Sequence, residues 1–456
     1  MRRKFTCLLL CVLLTCAVTG CKETKQENAA AVSDTVDTEK IIKEEKATEQ
    51  EEQQEEPKRE EPEDPFVRWL YAQYGETAAQ PLEEMYTADI TEDPAWYEQT
   101  GNTFHVLKAM YERDTGIETD EQIYWKECAD EKETVLLFTG DFNFAEGWST
   151  TKHMDAQPNG IYDCFSEELL RTMQEADITM VNNEFVYSSR GEPLSGKAYT
   201  FRAKPERVKL LEAFGTDIVG LANNHVWDYG EEALLDTFTA LEEEGIPYVG
   251  AGRNIQEAQE IIYFIANGRK IAITAATQIE RTLDYTKEAT EERAGVLKTL
   301  DPAKYKEVIR RAKENSDIVI AYVHWGTEKA PWYGADQTAL AEAFAEAGAD
   351  AVVGAHTHCL QGISYVSGVP VAYSLGNFWF TESAIDTGVL EVVIKEDGEP
   401  VFCFLPCRQQ NLKTSLVTEE AEKQRILSYV ESLSTNIKID EQGYVSDVSG
   451  TAKTPE

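Results

Sequence analysis

Residues 350–361 read DAVVGAHTHCLQ, and the fold follows from how that stretch is punctuated. A run of apolar, β-branched and small residues reads as a buried strand. His356 and His358 stand just past its end. Two other stretches repeat the design. Residues 217–225, DIVGLANNH, set Asn224 and His225 after an apolar run, and residues 317–324, DIVIAYVH, do the same with His324. The chain has 6 histidines, so most of its imidazole is gathered at strand ends.

Outward from these stretches the rhythm continues. TVLLFTG (134–140), ITMVNN (178–183), KIAITAAT (270–277) and VPVAYSLG (369–376) read as further strands. Between them lie amphipathic helices at 164–176, 205–215, 230–245, 303–315 and 336–348, with Gly215, Gly245 and Gly348 as stop signals. Strands alternating with helices of this length predict α/β layers. A hairpin follows, with its turn at Asp397-Gly398. Sites in such sheets form where loops leave the carboxyl ends of strands. The spacing therefore brings the histidines together.

The residue types suit a divalent-metal site. Asp141 follows the first strand, and Glu184 follows the second, placed to bridge two ions. Asn224 offers an amide oxygen, and His225 sits further out as a proton donor. Asp228, three residues on, would hold that imidazole in one tautomer. His356 and His358 alternate with Thr357, so in extended chain both rings project to one side. Imidazole with carboxylate suits Mn, Zn or Fe, and paired ions are a common means of phosphoester hydrolysis. Alone, each motif has an ordinary explanation, such as a turn, a helix cap or a core histidine. Together they leave too many buried polar groups for packing to explain. Arg202 and Asn377 are candidates for contact with substrate. Lys204 reads as a second cation or a surface residue, and Asn377 also suits a loop-fixing role. Trp325, Trp332 and Tyr333 read as a pocket wall or as packing. Cys359 reads as a soft ligand or a small buried residue.

Composition sets limits. Lys plus Arg is 43 against 82 Asp plus Glu, a formal net charge of -39. A chain this acidic is a poor candidate for nucleic-acid binding, which needs a basic face. An anionic polymer would be repelled unless divalent ions gripped it locally.

The first residues read as targeting. Arg2, Arg3 and Lys4 precede an apolar run, and Val18-Thr19-Gly20-Cys21 is similar to the lipobox of bacterial lipoproteins. Residues 1–20 are then a signal peptide, with Cys21 as the lipidated residue. This predicts an extracytoplasmic location, tethered to the cell membrane. Residues 21–64 are acidic and free of aromatics, a solvated stalk. Residues 65–132 read as a helical extension, with His105 half-buried on a helix. The main domain spans 133–412, and 413–456 form a helix and a polar tail. Cys128, Cys164, Cys359, Cys403 and Cys407 have no framework spacing. Cys403 and Cys407 pair only if geometry allows.

GD at 140–141, NNEF (182–185), FRAKPERV (201–208), LANNHVWDYG (221–230), VHWGTE (323–328), GAHTHCLQ (354–361) and YSLGNFWF (373–380) together resemble the CapA family of capsule and poly-γ-glutamate synthesis proteins. The resemblance covers about residues 133–400. It implies a four-layered α/β/β/α metallophosphoesterase-like sandwich with one or two divalent ions. It makes Asp141, Glu184, Asn224, His324, His356 and His358 the ligands and His225 the general acid. One departure stands out: Asn143 occupies the place of the histidine in the usual Asp-x-His. The implied function is a surface lipoprotein of envelope-polymer synthesis with a hydrolase site, partnered by membrane synthase proteins. The alternative is a non-catalytic assembly or anchoring subunit with a structural metal.

Overall fold

A computed structural model describes residues 64–75, 79, 80, 82, 83, 107 and 122–451, apart from 282, 381 and 382. The signal segment, Cys21, nearly all of the stalk, His105 and the last residues of the tail lie outside the described residues. Two compact units are distinguished. The first includes helix α1, Pro65–Tyr74, whose N-terminal amides of Phe66 and Val67 donate to the Asp64 side chain. This is a side-chain cap that satisfies donors the helix itself cannot.

The second unit carries the sheets. Its strands are β1 (Gln122–Lys126), β2 (Thr134–Phe142), β3 (Ile178–Asn183), β4 (Ile218–Gly220), β5 (Tyr248–Val249), β6 (Ile262–Ala266), β7 (Arg269–Thr277) and β8 (Ile318–His324). They continue with β9 (Ala351–Ala355), β10 (Ile363–Val366), β11 (Val369–Ala372), β12 (Asn377–Trp379), β13 (Ile385–Ile394), β14 (Pro400–Gln410) and β15 (Lys413–Leu416). One sheet runs β1-β6-β7-β8-β9-β11-β10. The other runs β15-β14-β13-β2-β3-β4-β5, with β12 beside the end of β2.

Side-chain parity builds the layers. In β8, Ile318, Ile320 and Tyr322 enter the core between the sheets, while Val319, Ala321 and Val323 enter an outer core. In β2, Leu136 and Phe138 face inward and Leu137 faces outward. Both faces of these two strands are covered, which explains continuous apolar runs where alternation would mark a half-wet sheet. Helices α2 (Glu167–Glu175) and α3 (Glu231–Glu243) cover the second sheet. Helices α4 (Ala303–Glu314) and α5 (Ala335–Ala347) cover the first. The result is α/β/β/α, as expected.

Several expectations change. The strand β1 lies within the region read as a helical extension, and it pairs in parallel with β6. Residues 205–214 form a 3-10 helix rather than an α-helix. The second sheet runs past residue 412, because β15 pairs with β14. After helix α6 (Glu420–Leu433), a hairpin of Ile437–Ile439 and Val445–Asp447 replaces the polar tail, and Ile437 and Val445 are buried in the inter-sheet core. Cys403 and Cys407 are free. They sit four apart on β14, roughly 13 Å at strand rise, beyond disulfide reach.

Gly354 in β9 lets the backbone approach Trp325 closely. A Cβ there would lie 2.2 Å from the Tyr373 carbonyl oxygen and 2.4 Å from Trp325 Nε1. Those two atoms share a 2.9 Å hydrogen bond. Gly354→Ala should destabilise the domain by about 1–3 kcal/mol, the range for overpacking. Denaturant unfolding would show it as a lower midpoint, and an unchanged midpoint would refute the close approach.

Candidate metal centre

The site lies where the carboxyl ends of parallel strands from both sheets meet. On one sheet these are β2, β3 and β4, and on the other β8 and β9. Gly140 sets the first contact. Its missing Cβ would stand 2.0 Å from the Gly376 carbonyl oxygen. The Asp141 amide donates to that oxygen at 2.9 Å. This close approach puts Asn377 in register with Asp141. The Asn377 amide oxygen then lies 2.8 Å from His358 Nδ1. Asn377 therefore positions the His358 ring. The loop-fixing reading describes it better than substrate contact.

Two groups of ligand atoms form here. Glu184, His324 and His356 make one, and Asp141, Glu184 and His358 the other, with the atoms of each group within 4.8 Å of one another. Glu184 belongs to both. His324 Nε2 lies 3.3 Å from Glu184 Oε1, 3.0 Å from His356 Nδ1 and 2.8 Å from the Asn224 amide oxygen. His358 lies 3.2 Å from Asp141 Oδ2 through Nδ1 and 3.9 Å from Glu184 Oε1 through Nε2.

The residues fit divalent ions on their own terms. Both Glu184 oxygens are buried without a hydrogen bond, and Asp141 Oδ2 has only the His358 ring at 3.2 Å. Buried polar atoms are otherwise paired almost everywhere in proteins, so orphaned carboxylate oxygens point to a cation. Burial pushes the Glu184 carboxyl well up, and the neighbouring Asp141 charge adds to it. Burial works against Asp141 as well, but hydrogen bonding and charge from His358 hold it below the usual range. Burial also disfavours charge on His358, yet Glu184 and Asp141 win, and it is pushed up to about 10. Burial takes His324 down to about 3 and His356 well below its usual value. Burial thus favours the neutral form of both imidazoles, the form that ligates metal.

One expectation was wrong in its reason. His356 and His358 are not in extended chain: their φ angles are 98° and 55°. Left-handed backbone at non-glycine residues costs about 1–3 kcal/mol each and persists at functional sites. The turn still brings the two rings to 6.0 Å, but sends each to a different ligand group.

The turn after β4 carries the rest. Asn223 spans to Asn183 O at 2.9 Å and accepts from the His225 amide at 3.0 Å. His225 Nδ1 donates to Asp228 Oδ2 at 2.7 Å, which fixes the ring and turns Nε2 away from Asp228. Burial lowers the His225 pKa, and Asp228 opposes that shift. Asp228 also accepts from the Phe201 amide at 2.7 Å.

Other candidates separate. Arg202 donates to the carbonyls of Arg190 and Gly191 and lies over the Tyr229 ring, so its contacts brace a loop. Lys204 is exposed, 3.9 Å from Glu146. Trp325 is fully buried and stacked on Phe344 and Tyr373, which makes it packing. Tyr333 also stacks on Tyr373, and Trp332 is exposed. Cys359 contacts Thr357 and joins neither ligand group. Asn143, in the departed motif, accepts from the Ala145 amide at 2.8 Å, so its side-chain oxygen closes a turn. Sequence reasoning missed Asn182, whose amide donates to Asp141 Oδ1 at 2.7 Å. It also missed Lys197, 2.6 Å from Asp228. A lysine in the SGKAYTF stretch of so acidic a chain was the available signal for the second.

The chain is 34% identical over 238 residues to the capsule biosynthesis protein CapA of Bacillus anthracis, covering 49% of this chain and 55% of that one. It is 31% identical over 235 residues to the PGA biosynthesis protein CapA of Bacillus subtilis (strain 168), covering 51% of this chain and 61% of that one. The matches thus span little more than half the length of these curated relatives. Among solved structures it is similar to a 5'-nucleotidase from Candida albicans SC5314, at TM-score 0.32 and 11% identity, over 60% of this chain and 54% of that one. Residues 135–382, more than half of the chain, match the family described as bacterial capsule synthesis protein PGA_cap, and the chain belongs to that family.

Proposed function

We propose that this chain is a CapA-type accessory protein for capsular poly-γ-glutamate, or a related envelope polymer, and that its domain is a divalent-metal-dependent hydrolase of phosphoesters. The observation that carries the reading is Glu184, shared by two ligand groups and left without any hydrogen-bond donor. The relatives' names supply the polymer and the association with its synthesis machinery. The chain is further proposed to sit at the extracytoplasmic face of the cell membrane, held by lipid on Cys21.

Asp141, Glu184 and His358 would hold one ion, and Glu184, Asn224, His324 and His356 the other. When bound, such ions supply Lewis acidity for the phosphoryl oxygens and an activated water. The chain's own residues do the rest. His225 carries its proton at a fixed place because Asp228 grips Nδ1, and its Nε2 side is the donor for the departing alkoxide. Asn377 and Asn182 hold His358 and Asp141 from behind, as outer partners commonly do for metal ligands. A structural metal in an assembly subunit has no use for the His225–Asp228 pair, which favours the catalytic reading over a scaffold.

Two experiments test these statements. His225→Asn should keep the metal content and lower kcat on an alkyl phosphoester by about 10²–10⁴-fold, the usual worth of a general acid. Unchanged turnover in His225→Asn would remove it from the mechanism. Metabolic labelling with radioactive palmitate should mark the full chain and not Cys21→Ser, and an unlabelled wild-type chain would overturn the anchor.

A further inference from the structure

Lys197 is a buried cation outside both ligand groups, with its side chain 8% exposed. Its ammonium donates to the Asn224 carbonyl oxygen. It lies 2.6 Å from Asp228 Oδ1 and 3.6 Å from Glu280 Oε1. The Asn224 carbonyl also accepts from the Thr286 hydroxyl at 2.8 Å. Glu280 Oε2 in turn accepts from the amides of Tyr285 and Thr286 at 2.9 and 3.2 Å. The Tyr285 hydroxyl donates to the Gly196 carbonyl at 2.9 Å. Three loops, around residues 196–201, 223–228 and 280–286, are therefore tied together at this one ammonium.

The two acceptors nearest the ammonium have different duties. Asn224 turns its side-chain amide oxygen to His324 while its carbonyl is held by Lys197 and Thr286. Asp228 holds His225 through one oxygen and Lys197 through the other. We propose that Lys197 is a positioning residue for both halves of the centre, fixing Asn224 as a ligand and, through Asp228, aiming His225 as proton donor. The part concerning His225 rests on the hydrolase reading above. Burying an ammonium carries a desolvation penalty that its partners must offset, and an apolar side chain of similar volume would fill the space with less penalty. A lysine used only for packing has no reason to be here. A lysine that must set two acceptors at once does.

The test uses the full chain, with Lys197→Met, His225→Asn and the double variant. The substrates are p-nitrophenyl phosphate, whose leaving group needs little protonation, and glycerol 2-phosphate, whose leaving group needs it. Lys197→Met should lower kcat on glycerol 2-phosphate about 10–100-fold, the usual effect of losing an outer-shell partner, with KM little changed. The loss on p-nitrophenyl phosphate should be much smaller, as for His225→Asn. Adding Lys197→Met to His225→Asn should cost little more on glycerol 2-phosphate, because residues acting as a unit are non-additive. Mn2+ affinity, read by calorimetry, should fall about 10-fold. Thr286→Val, which removes only the other donor to Asn224, should weaken Mn2+ and slow both substrates alike. Equal losses on both substrates with Mn2+ affinity unchanged would reduce Lys197 to a loop brace and overturn the proposal. If the wild type hydrolyses neither substrate, the hydrolase reading fails by itself. Mn2+ affinity then decides: a fall in Lys197→Met supports the positioning of Asn224, and no change overturns it. Lys197→Gln, which keeps a donor and loses the charge, replaces Lys197→Met if the latter does not fold.

Discussion

The Glu184 carboxylate is fully buried and neither of its oxygens receives a hydrogen bond, and the surrounding structure is arranged around that deficit. An isolated carboxylate in a protein interior is penalised by several kcal/mol even after relaxation. Its nearest ionic neighbours make the balance worse or only partly better. Asp141 adds a second negative charge, and His358 brings one positive charge between them. Two neutral imidazoles complete the set on the other side. Divalent ions would pair with the Glu184 and Asp141 oxygens and take the place of the His358 proton, leaving three neutral imidazoles to ligate.

The four-layer architecture follows from what that arrangement requires. Glu184 and Asp141 come from the ends of adjacent parallel strands in one sheet, and His324 and His356 from adjacent parallel strands in the other. Neither sheet alone holds both ligand groups. The contact between Asn224, after β4, and His324, ending β8, joins the two sheets at the centre itself. Stability and metal binding are thereby coupled, since the inter-sheet core must pack for the ligands to meet. Asn143, two residues past Asp141, turns its side-chain oxygen to the Ala145 amide and closes a turn there.

Much of this was legible before any coordinates. The buried strands show because coverage on both faces demands unbroken apolar runs, as in IVIAYV and AVVGA. The candidate ligands show because His and Asn standing at the ends of such runs have few structural uses. What stayed hidden depends on local backbone or on long-range contact. The left-handed turns at His356 and His358 carry no glycine to announce them. Strand β1, with sequence QIYWK, is short and mixed in polarity, so only pairing with β6 makes it a strand. The hairpin after α6 is polar in composition and is held by Ile437 and Val445 in the inter-sheet core. Lys197 reaches Asp228 across 31 positions of chain, a link no local pattern reveals.

The most direct test of the shared carboxylate is anomalous diffraction at the manganese edge from crystals of the folded domain grown with Mn2+. The account predicts two peaks about 3.5–4 Å apart, the spacing of two-metal sites, with Glu184 touching both. A single peak held by one ligand group, or no peak with Glu184 turned onto a protein donor, would contradict it.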